Sequence, residues 1–281
     1  MICSNDVIKS VLALPSLPAV VSDLLAIMEQ DDFDMHVLAS KITLDQALTA
    51  KTLRLANSSF YGLQSKVTTI AQAGSVLGFH SIRTLVTACS VIASFSAHGS
   101  GAFDFKAFWR HSIASAVCAR VIAPHLQVNP DSAFIAGLLH DLGTLVLATR
   151  FSHDYQRVLA WQHEHDCFIS VAEQAVFGTD HAAIGAALAA HWKFPEDIQE
   201  AVAGHHFAGQ AVGVAPADLT TAVVVANALA HALDLADVKN EQVPPLSMPV
   251  WRALALDYSA WERVFRNSEQ LFRATCQALT I

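Results

Sequence analysis

Histidine is the residue of this chain that most directly suggests chemistry. The 281 residues contain 14 histidines, and ten of them fall between positions 111 and 206: His111, His125, His140, His153, His163, His165, His181, His191, His205 and His206. Neutral imidazole is the commonest protein metal ligand, so this local excess marks a candidate metal-binding region. Taken singly, His125, His153, His163, His165 and His191 read as surface or helix-end residues. The informative segment is Gly137-Leu138-Leu139-His140-Asp141-Leu142-Gly143, where an adjacent His-Asp pair interrupts an apolar stretch. Burying either group without a partner costs on the order of a few kcal/mol, so a metal, an arginine or a hydrogen-bond network should compensate. The pair gains weight beside His111 in Trp109-Arg110-His111-Ser112, His181 in Thr179-Asp180-His181-Ala182, and the adjacent His205-His206. Cys118 lies seven residues after His111, on the same helical face, and reads as a packed thiol. Trp109 and Trp192 read as core aromatics.

The elements that must carry these residues are helices. Apolar positions Val20, Val21, Leu24, Leu25 and Met28 predict an amphipathic helix over 16–30 with Pro18 in its first turn. A short helix follows over 35–42, then one over 44–56 started by Thr43 (with Gln46 as a capping box) or by Asp45. Asn57 suits a left-handed helix end, followed by a turn through Ser58, Ser59 and Gly62. Arg54, Asn57, Ser58 and Ser59 could form a binding surface or be ordinary capping and turn chemistry. Helices are expected at 70–77 and 81–95, and the run Ala97-His98-Gly99-Ser100-Gly101 breaks the chain. Beyond it the pattern predicts helices at 105–123, 130–149, 155–164, 169–177, 182–191 and 196–206. Pro195, Glu196 and Asp197 form a strong helix start for the last of these. A loop over 208–216, a helix over 217–235, a linker over 239–249 and closing helices from Val250 complete the chain.

Composition agrees with a helical protein that buries a large core. Hydrophobic residues make up 53% and charged residues 15%, mean hydropathy is +0.38, and there are only 12 glycines and 9 prolines. No apolar stretch reaches the roughly 20 residues of a membrane span, because 84–97 is too short and His140-Asp141 breaks 133–148. A net charge of −8 argues against a grip on a nucleic-acid backbone. Cys3, Cys89, Cys118, Cys167 and Cys276 are scattered and lack a C-x-x-C pair, and they read as buried thiols in a reducing compartment. A cytoplasmic location follows, and no signal-peptide layout is expected over 1–21.

These motifs resemble the HD superfamily of metal-dependent phosphohydrolases. The resemblance implies that His111, the pair His140 and Asp141, and His181, His205 and His206 are ligands of a mono- or dimetal site. Asn227, in Val224-Val225-Ala226-Asn227-Ala228-Leu229, stands where the superfamily carries a late Asp, and an amide carbonyl is a weaker, neutral ligand. The first half narrows the resemblance. Leu14-Pro15-Ser16-Leu17-Pro18, then Asp45-Gln46-Ala47-Leu48 running into Leu53-Arg54-Leu55-Ala56-Asn57-Ser58-Ser59-Phe60-Tyr61-Gly62, is similar to the signature of the HDOD domain. This HD-related output domain occurs in bacterial signalling proteins. Leu77-Gly78-Phe79-His80-Ser81-Ile82-Arg83 also fits, so the likeness runs from about 14 to about 210. Gln46 departs from the family's proline. The cyclic di-GMP phosphodiesterase branch fits less well: Thr144 replaces its lysine, and Phe207-Ala208-Gly209-Gln210 replaces its Gly-Tyr-Pro.

The resemblance implies an all-α, HD-domain-like multi-helix bundle in two helical subdomains, 1–98 and 99–238, with a C-terminal helical extension at 239–281. It implies a signal-transduction output module acting through a signalling protein partner, with no nucleic acid or membrane partner. The alternative is a metal-dependent phosphohydrolase acting on a nucleotide or other phosphoester, with His140 and Asp141 catalytic. One or two divalent transition metals (Fe, Mn or Zn) and no organic cofactor are expected. The same residues could instead form a polar network built into the fold.

Overall fold

In this computed structural model, which describes Ser22 and residues 35–58, 60–95, 103–206, 217–237 and 242–281, the regular elements of the described residues are all helical. α1 (Met35–Thr43), α2 (Gln46–Ala56), α3 (Ile70–Leu77) and α4 (Phe79–Phe95) form the first group. α5 (Phe105–Ile122), α6 (Pro130–Leu139), α7 (Leu142–Arg150), α8 (Ser152–His165) and α9 (Ile169–Phe177) follow. α10 (His181–His191), α11 (Glu196–Gly204), α12 (Leu219–Ala232), α13 (Met248–Leu254) and α14 (Tyr258–Leu279) close the chain.

Local chemistry explains many of the helix starts. Asp45, Thr69, Asp104, Asn129, Asp180, Asp218 and Asp257 each accept a hydrogen bond from a backbone N–H two or three residues on. Each such cap is worth about 1 kcal/mol. Asp45 is therefore the start of α2; the Thr43 hydroxyl instead donates to Ala39 O at 2.6 Å.

Packing then selects which helices are central. α12 buries every residue from Thr221 to Ala230, as expected of a helix apolar on all sides. α5 lies against both α12 and α6, and α14 crosses α5 and reaches α2. α14 is amphipathic, burying Ala260, Val264, Ser268, Phe272, Cys276 and Leu279 at nearly regular four-residue intervals. A partly buried charge cluster ties the first group to the second. Arg120 pairs with Asp131, which also accepts from Ser81 Oγ at 3.1 Å, and the guanidinium lies over Phe60 and Tyr61.

Several sequence expectations need correction. The single helix expected over 130–149 is two helices, because the chain turns at His140 and Asp141, where φ/ψ at Asp141 are −100°/8°. Asn57 is not left-handed (φ −86°). Its amide clips the following loop instead, donating to Leu53 O and Val67 O and accepting from Val67 N, all at 2.8 Å. Together with Ser58 Oγ on Leu55 O, this is capping and turn chemistry. The helix expected to reach His206 ends at Gly204, and the one expected over 217–235 spans Leu219–Ala232. Apart from Ser22, which is helical, the helix over 16–30 lies outside the described residues, as do the break at 97–101, Ser59 and the loop at 208–216. So do Cys3 and the junctions at 98/99 and 238/239. Cys89, Cys118 and Cys276 are buried free thiols, whereas Cys167 is only partly buried. Pro130–Arg150 has the length and apolarity of a membrane span, but most of it is buried inside the fold and it is broken at the His-Asp turn.

Candidate metal centre

Close backbone packing brings the polar residues together. At Gly137 a Cβ would stand 2.8 Å from Ala116 Cα, so only glycine lets α6 lie this near α5, which carries His111. At Gly143 a Cβ would stand 2.0 Å from His181 O, so only glycine lets α7 lie this near the start of α10. The His140-Asp141 turn sits between these two contacts. His181 opens α10, whose cap Asp180 is held by Gln174 Nε2 at 2.7 Å. His205 and His206 follow the last turn of α11, and Asn227 faces the site from α12.

Asp141 is the hub. Its Oδ2 lies 3.4 Å from His111 Nε2 and 3.2 Å from His140 Nε2, while its Oδ1 lies 3.3 Å from His181 Nε2 and 3.4 Å from His205 Nε2. His206 Nε2 is 2.7 Å from His181 Nε2, and His205 Nε2 is 3.3 Å from it. Two groups result, His111–His140–Asp141 and His181–His205–His206, each with its ligand atoms within 4.8 Å of one another.

The outer nitrogens fix the ring tautomers. His140 Nδ1 donates to Gly137 O and His205 Nδ1 to Val202 O, both at 2.7 Å. His181 Nδ1 donates to Glu173 Oε2 at 2.6 Å, and the same oxygen accepts from His181 N at 2.8 Å. A carbonyl or carboxylate can only accept, so these Nδ1 atoms carry the protons and leave the Nε2 atoms facing inward. Inward-facing nitrogens crowded around one carboxylate repel one another unless a cation or proton sits among them. The donor set, imidazoles plus a carboxylate with an outer carboxylate behind one of the rings, suits a divalent transition metal. The residues present therefore fit one or two such ions.

Electrostatics agree. Burial pushes His111 down to about 3 and His205 down to about 4, so both stay neutral. Burial works to raise Asp141, but the neighbouring imidazoles, His140 first, hold its carboxyl well below the usual range. Burial works to lower His181, but Glu173 and Asp141 carry it well above the usual imidazole value.

Above the cluster opens a cavity of about 960 Å³, reached by Asp141, His111, His181, His205, His206 and Asn227. Two contributors were missed in the sequence. Glu173 is fully buried on α9, and its signal was an acid on the apolar face shared with Ala172 and Phe177. His231, one helical turn after Asn227, lines the cavity with its ring 4.4 Å from that of His111. Asn227 is 4% exposed, and its amide interacts with His111. Cys118 is a packed thiol pushed up to about 12 by burial, and Trp109 and Trp192 belong to the core. Arg110 holds the carbonyls of Leu235 and Ala236, and neither Arg150 nor Lys193 reaches the cavity.

Comparison with known proteins agrees with this architecture. The HDOD domain family matches residues 14–208. An HDOD domain protein of unknown function from Geobacter sulfurreducens has 26% identity and a TM-score of 0.73, covering 97% of this chain and 93% of that one. A candidate phosphohydrolase from Shewanella amazonensis SB2B shares the fold at 23% identity and a TM-score of 0.73, covering 96% of this chain and 97% of that one. An uncharacterized protein of Treponema pallidum (strain Nichols) is 25% identical over 271 residues, 95% of this chain. This chain spans about half of that relative, 49% of its length. The family match covers well over half of the all-helical chain and includes the turn that carries His140 and Asp141, so the chain belongs to the HDOD domain family.

Proposed function

We propose that this HDOD protein is a metal-dependent phosphohydrolase. The observation that carries the reading is Asp141, whose two oxygens each face a pair of imidazole nitrogens at the floor of an open cavity. His111, His140 and Asp141 would hold one divalent ion (Fe, Mn or Zn), and His181, His205 and His206 could hold a second. Bound there, the ions supply Lewis acidity to a phosphoryl oxygen and lower the pKa of water. The chain's own groups orient this chemistry. Glu173 holds His181 in one tautomer, Gly137 O and Val202 O do the same for His140 and His205, and Asn227 takes the place of a further acid beside His111.

The test is elemental analysis of purified protein, followed by hydrolysis of bis(4-nitrophenyl) phosphate with added Mn²⁺. One or two transition-metal ions per chain, lost together with turnover in the H140A/D141A variant, would support the reading. A well-folded preparation that takes up no Mn²⁺, Fe²⁺ or Zn²⁺ would sink it.

A second reading, a regulatory output module acting on a signalling protein partner, is favoured by apolar side chains left at the surface near the C-terminus. Tyr258 is 85% exposed, Met248 61% and Trp251 43%. The two readings are compatible, since a metal site can report a bound phosphoester to a partner. The net charge of −8 weighs against a nucleic-acid partner in either case.

A further inference from the structure

The cavity over Asp141 is far larger than the polar floor it covers. Above the histidines the wall has an apolar and aromatic stretch, interspersed with polar side chains such as Gln162, His163 and Ser170: Phe103 just before α5 and Phe108 in its first turn, Tyr155 and Leu159 on α8, Phe168 before α9, and Leu246 in the segment leading to α13. Part of this wall is preformed. Phe103 lies 5.8 Å from Phe108 and 6.0 Å from Tyr155, ring centre to ring centre. Phe168 is 42% exposed and still borders the cavity, as a residue at its mouth would.

Charge narrows the choice further. Among the described residues no lysine or arginine lines the cavity. Of the 17 basic residues in the chain, only Lys9 and Lys239 lie outside the described residues. Away from the histidine cluster, the ionisable side chains on the described wall are two acids, Asp104 and Asp166, and one further imidazole, His163. Asp166 Oδ1 accepts from Gln242 Nε2 at 3.4 Å, joining the α8–α9 turn to the segment that forms the opposite wall. A phosphate seated at the histidine cluster would meet its counter-charge there. A second phosphate farther out would meet carboxylates and rings.

We infer that this cavity takes a phosphoester with a single phosphate joined to an apolar or aromatic group, and discriminates against ligands bearing two or more phosphates. The inference rests on the metal-site reading above and assigns its substrate class. The phosphate occupies the floor, the substituent lies against Phe108, Tyr155 and Phe168, and Asp104 and Asp166 repel further negative charge.

The test uses the full chain and probes that cannot be hydrolysed. Mn²⁺ uptake is measured first, by titration calorimetry, and then the Mn²⁺-loaded protein is titrated with methylphosphonate, phenylphosphonate and 1,4-phenylenebisphosphonate. Phenylphosphonate should bind about tenfold tighter than methylphosphonate, from burial of the ring. The bisphosphonate should bind no tighter than phenylphosphonate. Phe168→Ala should remove most of the phenyl advantage with Mn²⁺ uptake unchanged. In the Asp104→Asn/Asp166→Asn variant, which keeps the helix cap and a side chain tolerant of the left-handed backbone at 166, the bisphosphonate should gain roughly fivefold while phenylphosphonate is unmoved. Mn²⁺ uptake with equal methyl and phenyl affinities, or with the bisphosphonate preferred, overturns the substrate class and leaves the metal reading intact. Failure to take up Mn²⁺ overturns both.

Discussion

Replacing Gly143 by alanine should break the site from a position that touches no ligand. On helix propensity alone the change should help, since glycine inside a helix is disfavoured by roughly 0.5–1 kcal/mol relative to alanine. The tertiary structure reverses the sign. A Cβ at 143 would stand 2.0 Å from His181 O and 2.8 Å from both Gly185 N and His181 C, all backbone atoms that no rotamer change can move. α7 and α10 would have to part by about an ångström or more, which places the cost at or above the upper end of overpacking, roughly 3 kcal/mol. For a chain of this size that is a fall in Tm of about 6–12 °C. The same displacement pulls Asp141 away from His181, now 3.3 Å apart, so Mn²⁺ uptake should fall even below the melting transition. Gly62→Ala is the control: φ there is +59° with open space around a Cβ, so it should cost only about 1–2 kcal/mol and leave uptake intact. Circular-dichroism melting and Mn²⁺ calorimetry on both variants decide the matter. A Gly143→Ala protein that melts within about 1 °C of the parent, or above it, and binds Mn²⁺ normally would refute the role of this close approach.

Other outcomes follow from individual contacts. Glu173→Gln removes the carboxylate behind His181 and should weaken Mn²⁺ binding by about 10- to 100-fold, read by calorimetry; unchanged affinity would deny Glu173 its orienting role. Asn227→Asp places an acid beside His111 and should tighten Mn²⁺ binding by about tenfold, a prediction lost if competition titrations show no gain. The metal-free protein should lose stability as pH falls below about 6.5. The unfolded chain then protonates His111 and His205, while the folded protein resists until about 4 for His205 and about 3 for His111. With two protons at stake the slope approaches 2–3 kcal/mol per pH unit. His181, shifted the other way, contributes stability that is complete below pH 6.5 and is lost as pH rises through its elevated folded value. Denaturant melts from pH 7 to 4.5 that show no decline would contradict the burial of these neutral rings. Arg120→Ala takes the cation from Asp131, which keeps Ser81 Oγ, and from Phe60 and Tyr61, and should cost about 1–3 kcal/mol in urea titrations without changing Mn²⁺ affinity.

Much of this architecture was legible because it is local. Asp45, one of two starts the sequence offered for α2, caps it through a bond that spans three residues, and Pro195 with Glu196 and Asp197 does open α11. Much of the candidate site was legible as residue types: His111, Asp141, His181, His205 and His206 reach one cavity and His140 is buried beside Asp141, whereas Asn227, which also lines it, was pointed to only by the family resemblance. The break between α6 and α7 was hidden because the run from Ala133 to Ala148 is apolar on both sides of His140, and apolarity does not report a turn. Asn57 read as a helix end because its partner, Val67, lies across a loop.

By itself the sequence determined that the chain is helical, that its core is large, and that a His-Asp pair would need compensation wherever it was buried. Only the tertiary structure decided how that compensation is made. Asp141 turns one oxygen to each pair of histidines because Gly137 and Gly143 let two pairs of helices, α5 with α6 and α7 with α10, approach at backbone distance. Glu173 stands behind His181 because α9 packs beside α10, and among the described residues no lysine or arginine lines the cavity, Arg110 being held at the carbonyls of Leu235 and Ala236 just after α12. The reason is physical: caps and periodicity act over a few residues, whereas the direction in which a buried polar group points is set by neighbours tens of residues away in the chain.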